Sequence, residues 1–183
     1  TSMGLESVRQ SIQNLFWTND RQSLGFQHFL HRRKVSYPMR LQEEYVFVSC
    51  LAGEIQVTES GQTCTLHDGE VFAGNSLCWR SSEYGGAGSC EGLSLVVSPK
   101  LLPHWPLFEG KRDGQGLRRL VEDVLLELAS QQAGKQELLE ALAREFLVRA
   151  LRLFQAVPRP EPDERQRLLS RRHYIHAIDF MQG

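Results

Sequence analysis

Gly53, Gly61 and Gly69 cut residues 45–76 into short apolar runs. That spacing leaves room for little except the strands of a small antiparallel sandwich or barrel. In the first run Val46, Val48 and Cys50 alternate with Tyr45, Phe47, Ser49 and Leu51. Both faces are therefore covered, which predicts a central strand. The chain turns at Ala52-Gly53-Glu54 into residues 55–58, turns again at Glu59-Ser60-Gly61-Gln62, and returns through residues 64–66. The polar tetrad His67-Asp68-Gly69-Glu70 reads as a further tight turn, with His67 exposed and structural.

On these residues the stretch resembles a cupin barrel, and specifically the N-terminal effector-binding and dimerisation domain of AraC/XylS-type transcription regulators. The second cupin motif runs Gly, five residues, Pro-x-Gly, two residues, His, three residues, Asn. Gly61, His67-Asp68-Gly69, Phe72 and Ser76 keep that spacing, with both glycines in place and the proline, histidine and asparagine replaced. In the first motif the closing Glu and Gly fall on Val46 and Gly53, His-x-His falls on Arg40 and Gln42, and the opening glycine falls on Lys34. The resemblance implies a mainly β plus α fold. It would be a cupin-like antiparallel β-barrel (a double-stranded β-helix) followed by a two-helix antiparallel dimerisation element.

The replacements change the chemistry. A divalent ion needs several N or O donors converging on one point. Arg40 has no lone pair to give, and Val46 and Phe72 carry no donor atom. The resemblance therefore implies no metal, no cofactor and no catalytic residues, and a binding protein rather than an enzyme. Its ligand-binding residues would be Arg40, Gln42, Val46, Phe72, Trp79 and Tyr45. For Arg40 two readings stand: it anchors an acidic or polyhydroxylated ligand, or it pairs with Glu43 or Glu44 at the rim. Trp79 and Tyr45 either stack on a ligand or belong to the core. Cys50 and Cys64 fall on inward positions and line the interior or act as thiol sensors.

Elsewhere the pattern is simpler. Residues 5–17 have the apolar spacing of a short amphipathic helix, and residues 24–35 read as one strand closed by Pro38. On that strand His28 and His31 face opposite sides and cannot share an ion. Residues 77–80 and 90–97 read as further strands around the glycine-rich turn at 84–88. From Leu117 the period becomes helical. Leu117, Leu120, Val121, Val124, Leu125 and Leu128 share one face, and a second helix carries Leu142, Phe146, Leu147 and Leu151. These ten form the expected dimer interface; the alternative is that the pair covers an open end of the barrel.

The expected organisation is a barrel with an N-terminal arm over 1–110, a helical element over 114–156, a proline- and acid-rich linker over 157–166, and over 167–183 the start of a helix-turn-helix domain cut short. The 183 residues are 41% hydrophobic, enough for one core, and the formal net charge of −1 gives no footprint for nucleic acid. The four cysteines lack metal-ligand spacing and read as reduced thiols. No apolar run approaches the roughly 18 residues of a membrane span, so a cytoplasmic chain with no membrane partner is expected.

The leading functional expectation is the sensing and dimerisation half of an AraC/XylS-like regulator. Its partners would be a small-molecule effector, a second copy of itself, DNA through a C-terminal domain absent from this chain, and RNA polymerase in the full-length protein. The alternatives are a protein-binding module docked by an anti-activator, or a cupin enzyme.

Overall fold

The computed structural model describes residues 14–86 and 88–155. Within them lie ten strands: β1 (Phe16–Thr18), β2 (Leu24–His31), β3 (Val35–Gln42), β4 (Tyr45–Ala52), β5 (Ile55–Glu59), β6 (Gln62–Leu66), β7 (Glu70–Gly74), β8 (Cys78–Tyr84), β9 (Cys90–Val97) and β10 (Lys111–Asp113). Two helices follow, α1 (Arg118–Ala129) and α2 (Lys135–Phe154). The strands form a six-stranded sheet, β1-β2-β9-β4-β7-β10, and a four-stranded sheet, β3-β8-β5-β6, with antiparallel pairing throughout.

Alternation along β4 places this strand as the sequence suggests. Val48 and Cys50 join Phe29, Ile55, Val57, Leu66, Phe72 and Cys90 in an apolar cluster between the sheets. Tyr45 and Phe47 point the other way, into a second core with Phe26, Val71, Leu93, Leu95 and the helices. Both faces are buried because the small sheet covers one and the helices the other, while β9 and β7 pair with its two edges. The arrangement is the expected pair of facing antiparallel sheets, but it is not a closed barrel. Among the described residues each sheet keeps its own edge strands, and no ladder joins β3 or β6 to the larger sheet.

The helices lie against the outer face of the six-stranded sheet. Leu117, Leu120, Val121, Val124, Leu125, Leu128, Leu142, Phe146 and Leu147 are buried in the chain's own core, and Leu151 packs against it half-buried. This corrects the expected dimer interface. A sheet face made of Phe26, Phe47, Val71, Leu93 and Leu95 needs cover, and each large apolar side chain so buried is worth about 1.5–3 kcal/mol. The apolar stripes of α1 and α2 are spent there. The outward residues Leu126, Leu138 and Val148 remain exposed.

Two strand boundaries also differ from expectation. Phe16 and Trp17, read as helical, belong to β1, which pairs with Gln27 and Phe26 of β2. The Trp17 indole N–H donates to Gln136 Oε1 at 2.8 Å, tying this edge to α2. Pro38 does not close a strand; β2 ends at His31 and β3 runs through the proline. The pairing of β3 with β8 slips between Tyr37 and Arg40, and β3 is an edge strand. Both are places where a missing ladder N–H is tolerated. The expected linker and helix-turn-helix segment over 157–183 lie outside the described residues. Among the described residues, no helix is long and apolar enough to cross a membrane.

Candidate functional site

The slip in β3 shapes the interior. Val35 and Tyr37 stand opposite Tyr84 and Ser82, while Arg40 and Gln42 stand opposite Arg80 and Cys78. Without the extra residue, Tyr37 and Arg40 would face opposite sides. With it, both line a cavity of about 610 Å³ between the sheets, within the range of small-molecule sites. The larger sheet contributes Phe29 and His31 from β2, Val46 from β4 and Ser94 from β9; β8 contributes Arg80, Ser82 and Tyr84.

Aromatic rings form one wall. Tyr84 lies 4.8 Å from Phe29, 5.3 Å from His31 and 5.5 Å from Tyr37, measured between ring centroids. Tyr37 itself is exposed. Burial lowers the His31 imidazole below its ordinary value, so the ring is neutral at pH 7. Burial also raises the Tyr84 phenol, which therefore keeps its proton and can donate.

Two guanidinium groups face the same space in different states. Arg80 is neutralised by Glu59 and also donates to the Asn75 carbonyl at 2.8 Å. Asn75 in turn accepts from Phe108 N–H at 2.7 Å and donates to Phe108 O at 2.9 Å. The Phe108 ring packs on Phe154, in the last turn of α2, at 6.0 Å. Arg40, by contrast, makes no hydrogen bond or ion pair among the described residues, and Glu44 lines the same cavity without pairing with it. The rim ion pair read as an alternative for Arg40 is therefore not formed with Glu44.

The structure brings together Arg40, Gln42 and Val46, and separates the other expected ligand contacts. Tyr45 touches the cavity edge, but its hydroxyl donates to Pro106 O at 2.7 Å and its ring packs on Phe108, on the helix side of the sheet. Phe72 is buried in the apolar cluster between the sheets rather than in the cavity wall. Trp79 alternates with the inward residues Arg80 and Ser82 and pairs with Leu41, so it lies on the outer face of the small sheet. Sequence reasoning missed Tyr37, Ser82 and Tyr84. The alternation of Arg80, Ser82 and Tyr84 was the available signal, had the strand been carried past Arg80.

The cysteines are set for packing. Burial pushes the Cys50 thiol up to about 12, and burial likewise raises Cys64 and Cys90. Burial therefore disfavours the thiolate at all three positions. His28 turns away from the cavity into full burial, its Nε2 3.0 Å from Glu91 Oε2 and its Nδ1 without a partner. His67 is exposed in its turn. The positions where cupins hold a metal do not fit one: Arg40, Val46 and Phe72 offer no lone pair. Among the described residues, no group of three or more His, Cys, Asp or Glu side chains could hold an ion.

No family profile and no curated protein matches the sequence. Solved structures similar in fold include the cupin domain of Cnp3 from Schizosaccharomyces pombe, at 15% identity and a TM-score of 0.44, covering 48% of this chain and 65% of that one. An RmlC-like cupin family protein from Methanocaldococcus jannaschii is similar at 15% identity and a TM-score of 0.43, covering 50% and 84%. A salicylate 1,2-dioxygenase variant from Pseudoaminobacter salicylatoxidans is similar at 11% identity and a TM-score of 0.42, covering 52% and 33%. The expectation of a non-enzyme is withdrawn, because a fold of this kind does not separate binding from catalysis. The described residues form two facing antiparallel sheets backed by two helices.

Proposed function

We propose that the chain is the ligand-sensing domain of an AraC/XylS-like transcription regulator, taking a small-molecule effector between its sheets. The observation that carries the reading is the cavity of about 610 Å³, with Arg40, exposed and without a partner among the described residues, on one wall and a cluster of rings on another. A sensor must also report occupancy, which requires two arrangements with different affinity for the ligand. The hydrogen-bonded series Arg80–Asn75–Phe108, ending on Phe154, gives the cavity wall a packed connection to the last turn of α2. In this reading the following residues lead to the DNA-binding part, and two copies associate through the outward side of the helices, where Leu126, Leu138 and Val148 are exposed.

Native mass spectrometry of the purified chain, without and with candidate effectors, tests the binding step and counts subunits at once. The expected result is one small molecule per chain, lost on cavity-filling substitution of Ser94→Trp. A reporter driven by the longer regulator should then need more effector when Arg40 is replaced. Conversion of the bound molecule into a product would replace the sensor reading by a catalytic one.

A further inference from the structure

We propose a second ligand site, outside the space between the sheets: a pocket beneath the first two turns of α1 that takes a short, uncharged aliphatic alcohol, with the alcohol's hydroxyl on Ser49. This site is independent of the cavity read above as the effector site.

Strand alternation builds the pocket. Tyr45, Phe47, Ser49 and Leu51 share the helix side of β4, and Ser49 stands opposite Val71 of β7. Ser49, Leu51 and Val71 make the floor, and Val121 and Leu125, one turn apart on α1, make the roof. One side is closed by backbone alone. Gly69 N–H donates to Cys50 O at 3.0 Å, and Gly114 N–H donates to Gly69 O at 2.7 Å. A Cβ on Gly114 would come within 2.8 Å of Gly69 O, so the turn into α1 approaches this closely only without a side chain. The space enclosed is about 90 Å³.

Polarity and size set the chemical class. Ser49 is 6% exposed, lines the pocket and makes no hydrogen bond through its side chain among the described residues. A hydroxyl so buried is costly to leave unpaired. Water is a poor occupant, because a buried water needs roughly two to four polar partners and the side chains of Val71, Val121 and Leu125 offer none. A hydroxyl on an aliphatic body pairs with Ser49 and covers the apolar floor and roof together. The charged residues at the mouth call for nothing further: Glu70 is paired with Lys111 at 2.9 Å, Arg118 with Glu122 at 3.7 Å, and Asp68 is exposed to water. A charged ligand would leave water for a pocket with no free counter-ion. The volume is well below the roughly 150 Å³ that takes a benzene ring, which limits the body to about three or four carbons.

Methyl NMR on the whole chain tests the site with four probes: 1-propanol, propionate, propylammonium and cyclohexanol. 1-Propanol should shift the methyl signals of Val71, Val121 and Leu125 to saturation, with a dissociation constant of about 1–10 mM, the weak affinity open to so small a ligand. The methyls of Val57, in the cluster between the sheets, should not follow that curve. Propionate and propylammonium, which are charged, and cyclohexanol, which is too large, should each bind at least about tenfold more weakly. Ser49→Ala keeps the space and removes the hydroxyl, and should weaken 1-propanol about fivefold. Val121→Phe fills the space and should abolish the saturating shifts; a thermal melt of each variant checks folding, and Ser49→Ala decides the matter if Val121→Phe does not fold. Shifts that stay linear to about 100 mM, or that appear equally at Val57, would mean a solvent effect and overturn the site. If a charged probe binds as tightly as 1-propanol, or if Ser49→Ala leaves the affinity unchanged, the uncharged alcohol is overturned. All of these outcomes leave the effector reading of the larger cavity to its own mass-spectrometric test.

Discussion

Glu59 and Arg80 face each other across β5 and β8, and their ion pair at 2.8 Å is almost withdrawn from water, with side-chain exposures of 11% and 10%. Glu59 also accepts from the Asn75 backbone N–H at 2.9 Å. One carboxylate thus holds the small sheet to the end of β7.

Removing one member leaves the other buried and uncompensated, which costs about 3–5 kcal/mol. Glu59→Leu should lower stability by about that amount in urea unfolding, and adding Arg80→Met should recover part of the loss. A Glu59→Leu protein within about 1 kcal/mol of the parent would show that water reaches the pair and that it does not hold the sheets together.

Gly74 and Gly92 give space rather than flexibility. A Cβ on Gly74 would lie 2.5 Å from the Arg80 guanidinium, and one on Gly92 would collide with the Phe29 ring. Both neighbours are part of the cavity wall. Gly92→Ala should therefore cost about 1–3 kcal/mol as overpacking and also change ligand affinity. Thermal melting with and without ligand checks both, and an unaffected melt would mean that Phe29 shifts without cost.

Leu125 and Leu138 separate packing from association. Leu125 is 1% exposed beneath α1, whereas Leu138 is 46% exposed on α2. Leu125→Glu buries a charge and should unfold the chain rather than simply dissociate it. Leu138→Glu should leave the fold intact. If the chain sediments as a dimer, Leu138→Glu should weaken that dimer; if the parent is a monomer at micromolar concentration, the association part of the proposed function is wrong.

The Cys50 thiol, fully buried, hydrogen-bonds to the Ala52 and Gly53 carbonyls. Its folded value of about 12 lies above that of an unfolded chain, near 8.5. Its contribution to stability is complete below the unfolded value and is lost as pH rises towards about 12, because only the unfolded chain releases the proton in that window. Iodoacetamide at pH 8 should leave Cys50 unmodified in the folded chain and alkylate it in urea. Rapid labelling without denaturant would contradict the burial.

Much of the framework could be read from the sequence because it rests on local rules. Alternation around Gly53, Gly61 and Gly69 marked β4, β5 and β6, the run at 90–97 marked β9, and the change of period at Leu117 marked the helices. The same rules placed Gln42 and Val46 on the cavity side of their strands, half-buried, and Arg40 on that side but exposed. They could not say where an amphipathic stripe is buried: Leu120 and Leu147 look alike whether they meet a second copy or the chain's own sheet, and only the tertiary structure put them in one core with Phe47 and Leu95. Nor could they locate the slip at Pro38, since one extra residue reverses every later side chain of the strand. That slip put Tyr37 beside Arg40. Likewise Trp79 faces out because Arg80 faces in, towards a Glu59 that sequence alone does not place opposite it. Periodicity fixes which residues share a face, whereas the partner that face meets is decided by strand pairing between distant segments.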